Sequence, residues 1–173
     1  MVTIISGTNR KGSNTLKVAK LYEENIRSTG VEHQLFSLED LPRDLAFTYL
    51  INEQTPEVKT FITKYFTLSD KFIFVVPEYN GTFPGIFKLM LDAVNTKDLT
   101  RKKVLLTGVA NGKAGNLRGL DQLTNALHYL GMNIYPKHLP ISRFRELVDA
   151  NGNINNEETL RNIHVHLEEF LRF

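Results

Sequence analysis

The chain has 173 residues, a formal net charge of +2 and a composition that is 42% hydrophobic. That length fits one domain, residues 1–173, with a sizeable core, and the near balance of charge indicates neither nucleic acid nor an anionic membrane as a partner. The absence of cysteine excludes disulfides and thiolate catalysis, and no stretch has the pattern of a targeting signal or a membrane span, so we expect a cytoplasmic protein.

Short apolar, β-branched runs alternate with helical patterns through the first half of the chain. Residues 2–5 and 72–76 are predicted as buried strands and residues 32–36 as a weaker one. Ser13 is expected to cap a helix that runs to about Ser28. Thr55 and Pro56 begin a second predicted helix, whose inward face includes Leu68.

The same alternation continues to the end of the chain. Pro84 begins a third helix, residues 104–109 form a strand, and a fourth helix has an inward face that starts at Leu117. A weak strand over 133–139 and a last helix over 160–171 complete the pattern. Five strands alternating with five helices predict an α/β fold, an open parallel sheet with helices on both faces. The long connectors 37–54 and 140–156 are expected to be functional or to form an interface.

In such sheets ligands bind beyond the carboxyl ends of the strands. The first loop (residues 6–15) leads into a helix N-terminus, where backbone N–H groups favour an anion. Gly7 and Gly12 have the spacing of a triphosphate-binding P-loop, but Ser13 stands where its lysine belongs. We therefore predict a site for one terminal phosphate, with an ordinary strand–helix turn as the alternative. The side chains suited to hold that phosphate are Thr8, Arg10, Ser13 and Thr15.

Two further loops follow predicted strands. The second loop (residues 77–85) holds two prolines and two glycines around Tyr79, a backbone against which a flat heteroaromatic ring could lie. Glu78 is a weak candidate for a base, and a structural or interface role is the alternative. The third loop (residues 110–116) repeats the glycine-rich pattern. Arg118 follows in the first helical turn, where the helix dipole disfavours a cation, so it has either an external partner or a surface ion pair.

The sequence lacks the residue patterns that several other kinds of functional site require. The five histidines have no metal-ligand spacing, so we predict no metal site. There is no nucleophile elbow of the form G-x-S-x-G, and no G-x-G-x-x-G fingerprint for direct dinucleotide binding.

Two motifs carry a family resemblance. Residues 7–15, G-T-N-R-K-G-S-N-T, are similar to the pattern G-S-x-R-x-x-S-x-N. Residues 77–88, P-E-Y-N-G-T-F-P-G-I-F-K, are similar to P-E-Y-N-x-S-x-P-G-x-x-K, and Asp92 follows at helical distance. On these motifs the sequence resembles the NADPH-dependent FMN reductase family, which includes FMN-dependent azo-, quinone- and chromate-reducing enzymes, and the likeness runs nearly end to end.

The resemblance implies a flavodoxin-like three-layer α/β/α sandwich with a five-stranded parallel sheet of order 2-1-3-4-5. It also implies bound FMN, with NADPH or NADH as electron donor, a small-molecule acceptor, ping-pong exchange between the two and no catalytic side chain beyond the flavin. Family members are usually homodimers or homotetramers, with Lys88 and Asp92 near the subunit contact. The implied FMN-binding residues are Thr8, Arg10, Ser13, Asn14, Thr15, Pro77, Glu78, Tyr79, Asn80, Gly81, Asn111, Gly112 and Gly115.

Two positions depart from the family pattern. Asn116 replaces the second glycine of G-G-x-R, and Ala93 stands where an aromatic residue often follows the acidic position. These departures bear on the acceptor and the subunit contact. A flavodoxin-like electron carrier without its own NAD(P)H turnover is the alternative function. Flavodoxins tend to be strongly acidic, whereas this sequence has a pI near 8.8.

Overall fold

The computed structural model describes residues 1–48 and 54–173. Its parallel sheet has the order β2-β1-β3-β4-β5, and a sixth strand, β6, also pairs with β4. This confirms the predicted α/β fold and the strand order 2-1-3-4-5. The strands are β1 (Val2–Ser6), β2 (His33–Ser37), β3 (Lys71–Pro77), β4 (Lys103–Val109), β5 (Asn133–Ile134) and β6 (Leu139–Ile141).

Helices cover both faces of the sheet. One apolar cluster joins α1 and α6 to one face, and another joins α2, α3, α4 and α5 to the other. Ser13 caps α1 as predicted, and Thr55 also caps the helix that it was predicted to begin. Each side chain accepts a hydrogen bond from the N–H three residues later. The helices are α1 (Asn14–Arg27), α2 (Leu45–Thr48), α3 (Pro56–Ile62), α4 (Gly85–Ala93), α5 (Leu117–Tyr129) and α6 (Glu157–Arg172).

The predicted single strand over residues 133–139 is wrong. Its first part, β5, pairs with Lys103 and Val104, and β6 pairs further along β4 at residues 107–109. Pro136 lies between them and has no N–H to donate to a ladder, so the chain leaves the sheet and returns. Pro140 is tolerated within β6 because β6 lies at the edge of the sheet.

Two predicted core positions are also wrong. Leu68 is 61% exposed and Leu117 is 45% exposed. After Ile62 the second helix continues as a π-turn over Thr63–Thr67, and the wider turn rotates Leu68 off the inward face. Leu117 begins α5 directly after Asn116, whose left-handed backbone sets the helix so that Leu120 is its first buried leucine.

The two long connectors contain structure that the sequence pattern does not predict. The connector 37–54 includes the short helix α2, and residues 49–53 of it lie outside the described residues. The connector 140–156 includes a 3₁₀ turn over Phe144–Glu146. Within residues 1–48 and 54–173, none of the helices has the length and apolar character that crossing a membrane requires.

Candidate functional site

A cavity of about 280 Å³ opens at the carboxyl ends of β1, β3 and β4, where the first, second and third loops converge. This is the edge at which parallel sheets bind their ligands. The first loop and the start of α1 contribute one side, and the second and third loops contribute the other. The lining residues are Thr8, Arg10, Lys11, Gly12, Ser13, Asn14, Thr15, Pro77, Glu78, Tyr79, Val109, Ala110 and Asn111.

The first loop is held against the sheet at Gly7. The Gly7 N–H donates to Val75 O at 2.8 Å. A Cβ on Gly7 would lie 2.9 Å from that oxygen and 3.0 Å from the Phe87 ring, so only glycine fits this approach. Further along the loop, Gly12 has a left-handed φ of 61°. The first turn of α1 contains no acidic residue, so the positive end of its dipole faces the cavity unopposed.

Tyr79 connects the second loop to the first. Its hydroxyl lies 2.5 Å from Thr8 Oγ1, and the Arg10 N–H donates to the same Thr8 oxygen at 3.3 Å. The Arg10 guanidinium carbon lies 4.2 Å from the centroid of the Tyr79 ring, a cation–π contact. A cation is thereby held beside an aromatic surface within one cavity.

The second loop is a β-hairpin closed by Asn80 and Gly81. Their φ angles are 52° and 81°, as a two-residue turn of type I′ requires. Tyr79 and Thr82 exchange backbone hydrogen bonds of 2.8 and 3.1 Å, and the Thr82 hydroxyl donates to Gln122 on α5. The hairpin is therefore tied to the helix that follows the third loop.

The third loop lies unusually close to the sheet. A Cβ on Gly108 would overlap Gly115 O, and one on Gly115 would lie 2.8 Å from Pro140 Cβ. The segment after β6 supports the loop from outside, because the Phe144 N–H donates to Ala110 O at 3.2 Å and the Ala110 N–H to Ile141 O at 3.0 Å. The loop is thus clamped between β4 and β6.

Asn116, the last residue of the third loop, is bonded to β3 beside the start of the second loop. It is fully buried and has a left-handed φ of 70°. Its Nδ2 donates to Val76 O at 3.0 Å, next to Pro77 at the end of β3. Its Oδ1 is buried and has no hydrogen-bond partner among residues 1–48 and 54–173. Asn116, one of the two departures from the family pattern, therefore connects the third loop to β3. It also occupies the N-cap position of α5, where its side chain forms no capping hydrogen bond within the described part of the chain.

The structure brings most of the expected site residues to the cavity and leaves four outside its lining. Asn80, Gly81, Gly112 and Gly115 shape the loops, while Lys11, Gly12, Val109 and Ala110 line the cavity in addition. Lys11, Gly12 and Ala110 lie in the predicted loops and Val109 immediately precedes the third loop, so the loop boundaries locate all four to within one residue. The predicted residues in the lining are Thr8, Arg10, Ser13, Asn14, Thr15, Pro77, Glu78, Tyr79 and Asn111.

Three residues singled out in the sequence lie outside the cavity. Lys88 forms an ion pair with Asp92 at 2.6 Å along the exposed side of α4. Arg118 is exposed on the first turn of α5, and the ion pairs among the described residues do not include it.

The cavity has two chemically distinct parts. The first loop offers a helix N-terminus, hydroxyl groups and Arg10, which suit a phosphate. The second and third loops offer an aromatic residue and backbone groups at strand ends, which suit a flat ring with polar edges. FMN has a phosphate at one end and such a ring at the other, so its chemistry fits the residues present.

Comparison with known proteins agrees with this description. The sequence model of a family described as NADPH-dependent FMN reductase matches residues 1–146. The chain is similar to the FMN-dependent NADPH-azoreductase of Staphylococcus saprophyticus, with 24% identity over 98% of this chain and 93% of that protein.

Solved structures show the same fold. The flavoenzyme FerB of Paracoccus denitrificans, an NAD(P)H:(acceptor) oxidoreductase, superposes with a TM-score of 0.80 at 23% identity, covering 99% of this chain and 94% of FerB. An NADH:FMN oxidoreductase in its apo form gives 0.75 at 19% identity over 97% and 88% of the two chains. The flavodoxin of Megasphaera elsdenii gives 0.62 at 15% identity over 98% and 99%.

Proposed function

The chain belongs to the NADPH-dependent FMN reductase family, and from this membership we propose that it is an FMN-dependent NAD(P)H oxidoreductase that reduces a small acceptor by ping-pong exchange. The structural observation that best supports the proposal is that the first, second and third loops meet around one cavity at the carboxyl ends of the central strands. If the phosphate of FMN occupied the first loop, the second and third loops would be left to hold its ring, because they line the same cavity.

The first loop would hold the FMN phosphate. Arg10 would neutralise its charge, and the N-terminus of α1 would supply backbone donors. Three hydroxyl residues and one amide complete this part of the proposed site, and they are Thr8, Ser13, Asn14 and Thr15.

The second and third loops would hold the ring. Pro77, Glu78 and Tyr79 would lie along one edge, with the turn at Asn80 and Gly81 fixing the loop. Asn111 would approach the pyrimidine end, in a loop shaped by Gly112 and Gly115. Preorganised backbone N–H groups at that end would stabilise negative charge on the reduced cofactor, a task that requires no acid–base pair.

When bound, FMN supplies the redox chemistry, taking two electrons from NADPH or NADH and passing them to the acceptor. The residues of the chain position it, keep one face accessible and exclude competing reactions. The acceptor would be a flavin, a quinone, an azo compound or a metal oxyanion, and we expect it to use the same open face as the nucleotide.

We extend the proposal to the state of the protein in the cell. A cytoplasmic location would give it reduced pyridine nucleotide. A homodimer or homotetramer would use the exposed side of α4, which carries Lys88 and Asp92, together with Phe47 of α2, whose side chain is 76% exposed. Sedimentation equilibrium would measure this, and a monomer at micromolar concentration would contradict it.

The direct experiment is an anaerobic titration of the purified protein reconstituted with FMN. We expect a yellow protein whose flavin absorbance is lost on addition of NADPH or NADH and returns with a quinone. Steady-state oxidation of the nucleotide distinguishes the enzyme from a flavodoxin-like carrier. A protein that binds FMN but oxidises neither nucleotide would contradict the enzymatic function, and one that cannot bind FMN would contradict the whole proposal.

A further inference from the structure

Two cations stand beside the cavity, outside its lining. The Arg143 N–H donates to Gly112 O at 3.1 Å, so Arg143 lies against the third loop, and Lys113 is the next residue of that loop. Both side chains are exposed. We call Lys113 and Arg143 the basic rim. It adjoins Ala110 and Asn111, which line the cavity.

The backbone of Arg143 is in a conformation that arginine rarely adopts. Its φ and ψ are 48° and 43°, in the left-handed region where a Cβ is disfavoured and glycine is the usual residue. Non-glycine residues held in this region are concentrated at functional sites. Glycine would make the same turn at lower cost, so the backbone does not explain the arginine, and its side chain becomes the candidate reason.

The side chain of Arg143 is weakly engaged. Its ion pair with Glu146 spans 3.8 Å between two exposed groups, and such pairs contribute little because solvent screens them. Lys113 has no ion pair among residues 1–48 and 54–173. The basic rim thus presents two cations to solvent next to the cavity.

The flavin phosphate does not require the basic rim, because the first loop has its own cation, Arg10. A second anionic group bound at the edge of the cavity would account for the basic rim. In the proposed reaction the nicotinamide would stack over the flavin ring, and the rest of the dinucleotide would leave the cavity past its edge. NADPH carries there a 2′-phosphate that NADH lacks, and a guanidinium binds phosphate in a bidentate manner.

We propose that Arg143, assisted by Lys113, binds the 2′-phosphate of NADPH and sets a preference for NADPH over NADH. This inference rests on the proposed function for its role in turnover. The recognition itself is a binding event that can be measured without turnover. Arg143 is a specificity-determining residue here, since it would touch the nucleotide far from the reacting atoms.

Arg143→Gly is the informative variant, because glycine accepts the left-handed backbone and keeps the N–H that bonds Gly112. In the FMN-reconstituted enzyme with an uncharged quinone as acceptor, kcat/KM for NADPH should fall about tenfold or more, as expected for loss of a hydrogen bond to a charged group. The value for NADH should stay unchanged. Lys113→Ala should produce the same change to a smaller degree.

Arg101→Gly is the matched control. Arg101 is the other left-handed arginine, with a φ of 66°, and its N–H donates to Gly131 O. It precedes β4, at the edge of the sheet opposite the cavity, so the ratio of NADPH to NADH activity should not change in that variant.

Binding provides the second readout. The wild-type protein should bind 2′,5′-ADP more tightly than 5′-AMP in a calorimetric or NMR titration, and Arg143→Gly should remove the difference. Equal losses with both nucleotides, or an unchanged ratio of NADPH to NADH activity in Arg143→Gly, would overturn the inference. A wild-type protein that discriminates between the fragments but oxidises neither nucleotide would refute the proposed function while leaving the anion site intact.

Discussion

Arg10 and Tyr79 both line the cavity and are in direct contact. The Arg10 guanidinium carbon lies 4.2 Å from the centroid of the Tyr79 ring. The contact holds a flexible cationic side chain in place, so less conformational entropy is lost when it binds an anion. The Tyr79 hydroxyl is joined to Thr8 at the same time. Two loops that are far apart in sequence thus share one preorganised unit, and a disturbance of either residue should reach both halves of the site.

A second group of side chains is buried away from the cavity. His166 Nε2 lies 2.7 Å from Lys137 O and must donate to it, since a carbonyl only accepts. In the neutral ring Nδ1 then accepts from the Tyr22 hydroxyl at 2.8 Å, and Tyr22 accepts from Thr107 at 2.8 Å. This directed chain connects α1, β4 and α6 and works with a neutral imidazole.

Burial lowers the pKa of His166 from its ordinary value of 6.5, against the opposing effects of the Lys137 carbonyl and Glu169. The unfolded state therefore binds more protons below about pH 6.5, which is the ordinary histidine pKa. We expect the free energy of unfolding to be at its full value above that pH and to decline as the pH falls below it. Urea denaturation at pH 7.5, 6.0 and 5.0 measures the decline.

His166→Gln removes the titrating group, so the decline between pH 7.5 and 5.0 should be shallower in this variant than in the wild type. A residual slope should remain, because burial also lowers the pKa of His138. His128, an exposed histidine of α5, gives the control, since His128→Gln should keep the wild-type slope. An identical slope in wild type and His166→Gln would mean that His166 does not couple protonation to folding.

At the scale of the elements, close approaches of backbone fix the loops. Gly108 lies within β4, where a Cβ would overlap Gly115 O of the third loop. Gly115 in turn leaves no space against Pro140 of β6. The third loop is held by contact on both sides, so its position relative to the first and second loops is a property of the sheet.

Gly108→Ala should therefore destabilise the protein by about 1–3 kcal/mol, the usual cost of forcing an extra methyl group into a packed site. The displaced third loop should also weaken FMN binding. Thermal unfolding and an FMN titration provide the two measurements. Gly85→Ala is the control, because a Cβ at that position of α4 meets no atom of residues 1–48 or 54–173 within 4 Å. Equal stability of the two variants would refute the close approach.

The elements differ in how far the sequence predicts them. Buried runs such as β3 and capped helices such as α1 follow from local pattern, because apolar continuity and a Ser13 cap each act over a few residues. The division of residues 133–139 into β5 and β6 depends on where β4 offers pairing partners, which is tertiary information. The π-turn after Ile62 likewise has no local signal, and it alone displaces Leu68.

At the scale of the whole molecule, the carboxyl ends and the amino ends of the parallel strands have different roles. The three loops that line the cavity follow the carboxyl ends of the strands. At the amino ends of the strands, two lysines bind carbonyl oxygens near the C-terminal ends of helices. Lys71 Nζ donates to Leu171 O at 2.8 Å, and Lys102 Nζ donates to Phe66 O at 2.6 Å. Cations there offset the negative ends of helix dipoles. Because these lysine contacts lie away from the cavity, the loops at the carboxyl ends of the strands can change in sequence without loss of the contacts.

The candidate site is predictable from sequence to the level of its loops. Thr8, Arg10 and Tyr79 follow from residue type and position after a strand, and the structure brings them together. The contact between Arg143 and Gly112 does not follow, since it crosses from the third loop to the segment after β6. A positive φ at an arginine is likewise visible only once the backbone is folded.

The central claim is that the first loop binds the phosphate of FMN, and the most direct measurement compares the dissociation constants of FMN and riboflavin. FMN should bind at least about a hundredfold more tightly, as expected for several charge-assisted hydrogen bonds. Arg10→Ala should weaken FMN without a comparable change for riboflavin and without unfolding the domain, whereas Arg27→Ala at the far end of α1 should change neither. Equal affinity of wild-type protein for the two flavins, or unchanged FMN affinity in Arg10→Ala, would contradict the account.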